Sequence, residues 1–204
     1  MYKPTPIALF TFFAVILCWV VFTAVFVLRQ RPPKPQEAKR DRMSLLGISL
    51  QAFAYFLVWF QPPGRPFLPP VAALSGRFEI VLATFTIALA AGSVWLTASA
   101  VRTLGKQWAV AARLLEGHKL ITEGAYRHVR NPIYTAMLGM LIATGLAMRH
   151  WTALIVAVFL FTLGLIIRVR TEEKLLRAAF GKEFEDYAER VPAVLPGIFW
   201  DRRK

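Results

Sequence analysis

Apolar positions in this chain run in long blocks instead of alternating with polar ones. Three blocks come first: TPIALFTFFAVILCWVVFTAVFVL from Thr5 to Leu28, SLLGISLQAFAYFLVWF from Ser44 to Phe60, and FEIVLATFTIALAAGSVWLTASAV from Phe78 to Val101. Each approaches the roughly 20 residues an α-helix needs to cross the hydrocarbon core of a bilayer. Two shorter blocks, Pro132 to Met148 and Trp151 to Ile167, are separated only by Arg149 and His150 and predict a tight helical hairpin of marginal depth. The pattern predicts an all-α integral membrane helical bundle of about five transmembrane segments. Composition agrees, since 56 % of the 204 residues are hydrophobic. The first block reads as a retained span and not a cleaved signal peptide. Its apolar run is long, only Lys3 precedes it, and no small-residue cleavage site follows Leu28.

Net charge is +13, which raises the question of nucleic acid, but the distribution answers it differently. Of 25 Lys and Arg, four (Lys3, Arg65, Arg77, Arg149) fall on one side of a five-span arrangement. The other 21 lie six between Arg29 and Arg42, six between Arg102 and Arg130, and nine from Arg168 onward. The positive-inside rule then puts the N-terminus outside, with the 102–130 connector and the C-terminus at the cytoplasmic face. Anionic headgroups would favour those basic faces by about 1 kcal/mol per well-placed charge. No nucleic-acid motif accompanies the charge, so the expected partner of those faces is the bilayer. Cys18 is alone and inside a block, which excludes disulfides and Cys-rich metal sites. His118, His128 and His150 lack ligand spacing, so no metal is expected.

The chain divides at about residue 101. Residues 1–101 are plain membrane helix punctuated by the proline-rich RPPKPQ and QPPGRPFLPP. Their polar exceptions are Gln51, expected to bond a neighbouring helix, and Glu79, expected near an interface beside Arg77. Aromatic residues Phe53, Tyr55, Phe56, Trp59 and Phe60 either pack or line a lipid tunnel. Small residues Ala136, Gly139 and Ala143 permit close helix contact.

Residues 102–204 carry the chemistry. After the hairpin, Leu175, Leu176, Ala179, Phe180, Phe184, Tyr187 and Val191 recur near helical spacing opposite Lys174, Arg177, Lys182, Glu185, Asp186 and Glu189. This predicts a C-terminal amphipathic cytosolic helix with Gly181 as a kink or close-packing point. At its start Arg168 and Glu172 share a face, with Glu173 adjacent. Such a cluster is either an interfacial ion pair or a functional site. In RNPIY, Pro132 suits the first turn of a helix and Asn131 suits its N-cap. Arg127, His128 and Arg130 then serve as interfacial anchors or, with the helix N-terminus, favour an anionic group.

The series GHKLITEGAYRHVRNPIY, a helical hairpin and RTEEKLLRAAFGKEFEDYAERVPAVLPGIF resembles the isoprenylcysteine carboxyl methyltransferases and the related phospholipid methyltransferases, over about Leu104 to Phe199. The resemblance implies S-adenosylmethionine bound in a helical pocket at the cytosolic membrane surface, consistent with the lack of a Gly-rich dinucleotide fingerprint. By resemblance, His118, Leu120, Gly124, Ala125, Tyr126, Arg130, Asn131, Pro132, Tyr134, Glu172 and Glu173 bind the cofactor. Arg168, Tyr187 and Arg190 shape the substrate mouth, and Arg168, Glu172 and Arg190 are the implied catalytic set. Asn131 stands where the family commonly has His; it donates and accepts hydrogen bonds but never becomes cationic.

These residue types suit the implied chemistry. The resemblance implies a lipid or lipidated acceptor; if that is a prenylcysteine carboxylate, its pKa of about 3.5 leaves it ionised and no general base is needed. Positioning for in-line attack and exclusion of water would supply the catalysis, with Arg168 or Arg190 orienting the carboxylate. An amine acceptor would instead need Glu172, Glu173 or His118 as a proton sink. Two other classes share parts of the pattern: a membrane NADPH-dependent sterol-type reductase and a non-catalytic membrane scaffold. The RTEE element favours the methyltransferase.

Overall fold

The computed structural model describes residues 3–28, 42–69, 76–105 and 120–194. All regular structure among them is helical: α1 (Pro6–Val27), α2 (Arg42–Trp59), α3 (Gly76–Leu104), a single 3-10 turn (Gly124–Arg127), α4 (Pro132–Ala147), α5 (Trp151–Phe180) and α6 (Lys182–Arg190). Three helices, α1, α3 and α5, are long and apolar enough to cross a membrane. The apolar parts of α2 and α4 are shorter.

The hairpin expectation is corrected in one respect. Its second arm is not marginal: α5 continues without a break through the Arg168 to Phe180 stretch, 30 residues in all. At 1.5 Å per residue that is about 45 Å, longer than a hydrocarbon core. The basic and acidic residues of the RTEE element thus sit on the last turns of a spanning helix. The expected amphipathic helix is correspondingly split. Gly181, with φ +50°, ends α5, and α6 starts afresh. A Cβ at Gly181 would meet nothing, so this glycine serves a turn and not close packing.

The short α4 is the centre of the bundle. Ten of its 16 residues are buried, against α1, α2, α3 and α5. Its small residues make that possible: a Cβ on Gly139 would lie 2.2 Å from Ser93 Oγ of α3, and one on Gly145 2.6 Å from a Leu154 methyl of α5. Ala136, Gly139 and Ala143 are therefore consumed inside the chain. Polar side chains within the apolar helices are mostly satisfied locally or across helices. Thr86, Ser93 and Thr144 bond the carbonyl four residues back. Trp19 Nε1 donates to Thr144 Oγ1 at 2.9 Å, and Tyr55 OH to the Met137 carbonyl at 2.7 Å.

On α2, Phe53, Phe56 and Phe60 point outward, each about half exposed, and stack along one stripe. Tyr55 turns inward against Trp19 and Phe161. The aromatic residues of α2 thus divide between a lipid-facing stripe and core packing, and they do not line a common tunnel.

At one end of the bundle Glu79 pairs with Arg149 and accepts a hydrogen bond from Thr5, joining the starts of α3 and α1 to the α4–α5 turn. Its partner is Arg149 and not Arg77. Arg65, in the loop after α2, donates to the Arg149 carbonyl at 2.8 Å. The end of α2 therefore meets the start of α5, and the two helices run antiparallel. Where they cross, a Cβ on Gly164 would lie 2.6 Å from the Gly47 carbonyl oxygen, so the backbones touch.

Candidate functional site

The opposite end of the bundle gathers the RNPIY segment, the last turns of α5 and the C-terminal stretch. Gly124 opens the 3-10 turn with φ +58°, and a Cβ there would meet Thr103 Oγ1 at 2.6 Å. Only glycine allows the chain to turn so close to α3. Ala125 and Tyr126 are then buried against Ala100 of α3 and its neighbours.

Pro132 occupies the first turn of α4, as the sequence predicts. Asn131 holds the N-cap position, but its side chain does not cap the helix. Its Nδ2 donates to the Ala193 carbonyl at 2.9 Å, and its main-chain N–H donates to the same oxygen at 3.0 Å. Arg130 N–H donates to the Pro192 carbonyl, and Thr135 Oγ1 to the Val194 carbonyl. Residues 192–194 therefore form a strap bound through its carbonyls to the start of α4. No side chain on the strap advertises this role, so no sequence pattern marks it.

Arg130 ties the strap to α5. Its Nε and Nη2 donate to Glu173 Oε1 at 2.9 and 2.8 Å, and its Nη1 donates to the Ala188 and Val191 carbonyls. Arg177 lies on the other oxygen of Glu173 at 3.5 Å. The neighbouring Glu172 points elsewhere, because consecutive helical residues are about 100° apart. Its Oε1 accepts from Tyr134 OH and lies 3.6 Å from Arg168 Nη2. The Arg168 guanidinium sits over the Tyr134 ring, 4.6 Å from its centroid. On its other side Arg168 Nη1 donates to Gln51 Oε1 at 3.1 Å. The two adjacent carboxylates thus belong to separate networks: Glu173 with Arg130, Arg177 and the strap, and Glu172 with Tyr134, Arg168 and α2. Gln51 was legible as an interhelical hydrogen-bonding residue; nothing in its spacing assigned it to this site.

Helix α6 closes the end. Phe184, Tyr187 and Val191 pack on Leu120, Leu176 and Phe180, so its apolar face shields the bundle. Tyr187 OH donates to the Tyr126 carbonyl at 2.6 Å. Burial pushes the Tyr187 phenol up, with the Arg130 charge opposing and the Glu173 charge adding to the shift. Burial likewise raises Tyr126, with Tyr187 and Glu172 contributing. Both phenols are neutral hydrogen-bonding groups at any ordinary pH.

The remaining expected residues fall as follows. Leu120 is part of the floor beneath α6, and His118 lies outside the described residues. Arg190 is exposed, its Nε donating to the Asp186 carbonyl one turn back on its own helix, and that bond does not join it to Arg168 or Glu172. Among the described residues no three His, Cys, Asp or Glu side chains gather as a metal site.

A family model described as phospholipid methyltransferase matches residues 81–183, half of the chain, including α4, Arg168, Glu172 and Glu173. The chain is 30 % identical over 105 residues to protein-S-isoprenylcysteine O-methyltransferase B of Arabidopsis thaliana, covering 50 % of this chain and 53 % of that protein. It is 31 % identical over 110 residues to protein-S-isoprenylcysteine O-methyltransferase of Schizosaccharomyces pombe, covering 51 % and 45 %. It is also 30 % identical over 140 residues to the nickel-cobalt-cadmium resistance protein NccN of Alcaligenes xylosoxydans xylosoxydans, covering 60 % and 64 %. The chain spans about half the length of the isoprenylcysteine methyltransferases it matches. With the matched stretch reaching from α3 to the start of α6, this chain belongs to the phospholipid methyltransferase family.

Proposed function

We propose that this protein is an integral membrane methyltransferase that uses S-adenosylmethionine to methylate the carboxylate of a prenylcysteine-like amphiphile. The observation that carries this reading is the division of Glu172 and Glu173 between two networks at the start of α4. One network fixes the backbone around Asn131; the other holds a cation, Arg168, beside a carboxylate and a phenol.

The donor set fits the cofactor. S-adenosylmethionine has a carboxylate needing hydrogen-bond donors, and an ammonium and a sulfonium needing acceptors. Glu172, whose Oε1 accepts from Tyr134 OH and faces Arg168, presents a carboxylate of the kind those cationic groups need. The segment from Gly124 to Tyr134 supplies main-chain groups and the N-terminus of α4. In this reading Leu120, Gly124, Ala125, Tyr126, Asn131, Pro132, Tyr134 and Glu172 line the cofactor site. Arg130 and Glu173 hold its wall to the strap. The bound cofactor supplies an electrophilic methyl group.

The residues of the chain orient and desolvate. Arg168 aligns the acceptor carboxylate, which is already ionised, so no group must remove a proton. Arg168 would hold one oxygen of that carboxylate toward the methyl group that the bound cofactor would supply, with Glu172 and Tyr134 beside it. Tyr187 and α6 cover the mouth and exclude water, which strengthens the electrostatic contacts inside. Arg190, exposed on α6, meets the acceptor as it enters. The asymmetry of basic residues puts this end at the cytoplasmic face, with the N-terminus outside. The names of two of the relatives support the acceptor class.

Methyl transfer from labelled S-adenosylmethionine by the protein in lipid nanodiscs tests the reading. The expected product from a farnesylcysteine acid is a base-labile methyl ester. Labelling of phosphatidylethanolamine alone would instead establish an amine acceptor, with Glu172 as the proton sink.

A further inference from the structure

The polar groups of α2 are not all used by packing. Gln51 is 2 % exposed where α2 crosses α5, and its Oε1 accepts from Arg168. A guanidinium only donates, so the carbonyl end of the amide faces Arg168 and the NH2 end faces away. That NH2 group is buried and has no hydrogen-bond partner among the described residues. Ser44, also 2 % exposed, has a buried hydroxyl in the same condition. Residues 44 and 51 are two helical turns apart and share a face with Gly47, where a Cβ would lie 2.5 Å from Arg168 Cγ. The face of α2 that follows the Arg168 side chain thus presents an unmatched amide beside a cation, with a second unmatched polar group, Ser44, two turns away on the same face.

Buried polar groups are almost always paired, and an orphan calls for a partner. An amide NH2 needs an acceptor, and next to a guanidinium the favoured acceptor is an anion. We propose that Gln51 binds the anionic methyl acceptor directly: its carbonyl end holds Arg168 while its amide NH2 donates to the carboxylate that Arg168 orients. This rests on the methyltransferase reading above. Arg168 and Gln51 together fix the carboxylate from two directions and leave a lone pair to attack. Because α2 lies outside the family-matched stretch 81–183, acceptor recognition draws on the N-terminal half while the cofactor is held by the C-terminal half.

The test uses the full-length protein in nanodiscs with N-acetyl-S-farnesylcysteine and its neutral carboxamide as probes. Equilibrium affinity for each probe is measured in the presence of S-adenosylhomocysteine, alongside KM and kcat for the acid. Gln51→Leu is expected to weaken the acid about tenfold in both Kd and KM, with kcat within about threefold of wild type. Affinities for the carboxamide and for S-adenosylhomocysteine should stay within about twofold. Gln51→Glu still accepts from Arg168 but presents an anion to an anion, so it should weaken the acid further than Gln51→Leu; it decides the matter alone should Gln51→Leu not fold. Unchanged acid affinity in the folded variants would overturn the proposal, as would equal weakening of acid and carboxamide, which marks a packing defect. If the wild-type protein neither binds S-adenosylhomocysteine nor methylates the acid, the methyltransferase reading fails and the proposal falls with it.

Discussion

Arg130 Nη2 lies 2.8 Å from Glu173 Oε1, and this buried pair joins the residue before Asn131 and Pro132 to the last turns of α5. Both side chains are at least nine-tenths buried. Removing one partner leaves an uncompensated charge, so Glu173→Ala should cost about 3–5 kcal/mol and release the strap. Arg130→Lys should recover little of that stability, since an ammonium cannot reproduce the fork on Glu173 together with the two carbonyl bonds. Thermal melting in detergent, with limited proteolysis after residue 190, checks both outcomes.

Asn131 is bound to the strap and does not cap its helix. Asn131→Ala should therefore lose about 1 kcal/mol, the worth of one hydrogen bond, and reduce affinity for S-adenosylhomocysteine. Asn131→His should keep most of that affinity, because an imidazole N–H donates to the Ala193 carbonyl without needing a charge. Melting and binding titrations on the two variants distinguish these effects. Affinity lost equally in both would contradict the hydrogen-bonding role.

Tyr187 and Tyr126 give a defined pH dependence. Both phenols are raised above the ordinary value of 10.0, chiefly by burial. The neutral form is favoured in the folded state, so their contribution to stability is fully present below pH 10 and is lost as pH rises beyond it. Tyr187→Phe, which removes the bond to the Tyr126 carbonyl, should lower stability by about 1–3 kcal/mol and flatten part of the decline above pH 10. Melting curves between pH 7 and 11 read both effects.

The crossing of α2 and α5 should be intolerant of bulk. Gly164→Leu forces a side chain against the Gly47 carbonyl and the Gln51 stem, at a cost of about 1–3 kcal/mol. Arg149→Ala, at the far end, should cost a similar or larger amount by stranding Glu79. The two should differ in binding. Gly164→Leu moves Gln51 away from Arg168 and weakens the acceptor, whereas Arg149→Ala leaves both ligands bound within about twofold.

Much of this end of the molecule was legible in the sequence. Block length and hydropathy mark the helices, Pro132 fixes the start of α4, and the i, i+4 spacing joins Arg168 to Glu172. Three features were not legible, each for a physical reason. The continuity of α5 was hidden because charge in the RTEE element reads as the end of a span, although a long helix can carry its charges past the core. The strap was hidden because it acts through carbonyls, which every residue possesses. Gln51 carries no local pattern that separates a helix-packing amide from one beside a site; the difference lies in Arg168, 117 positions away.

The central claim, that the end of the bundle around Asn131 and Glu172 holds a methyl donor, is tested most directly by calorimetric titration of purified protein with S-adenosylhomocysteine. The account predicts saturable binding near one site per chain, weakened in Glu172→Gln while Arg149→Ala retains it. No heat of binding at millimolar ligand, from protein whose melting transition is intact, would contradict it.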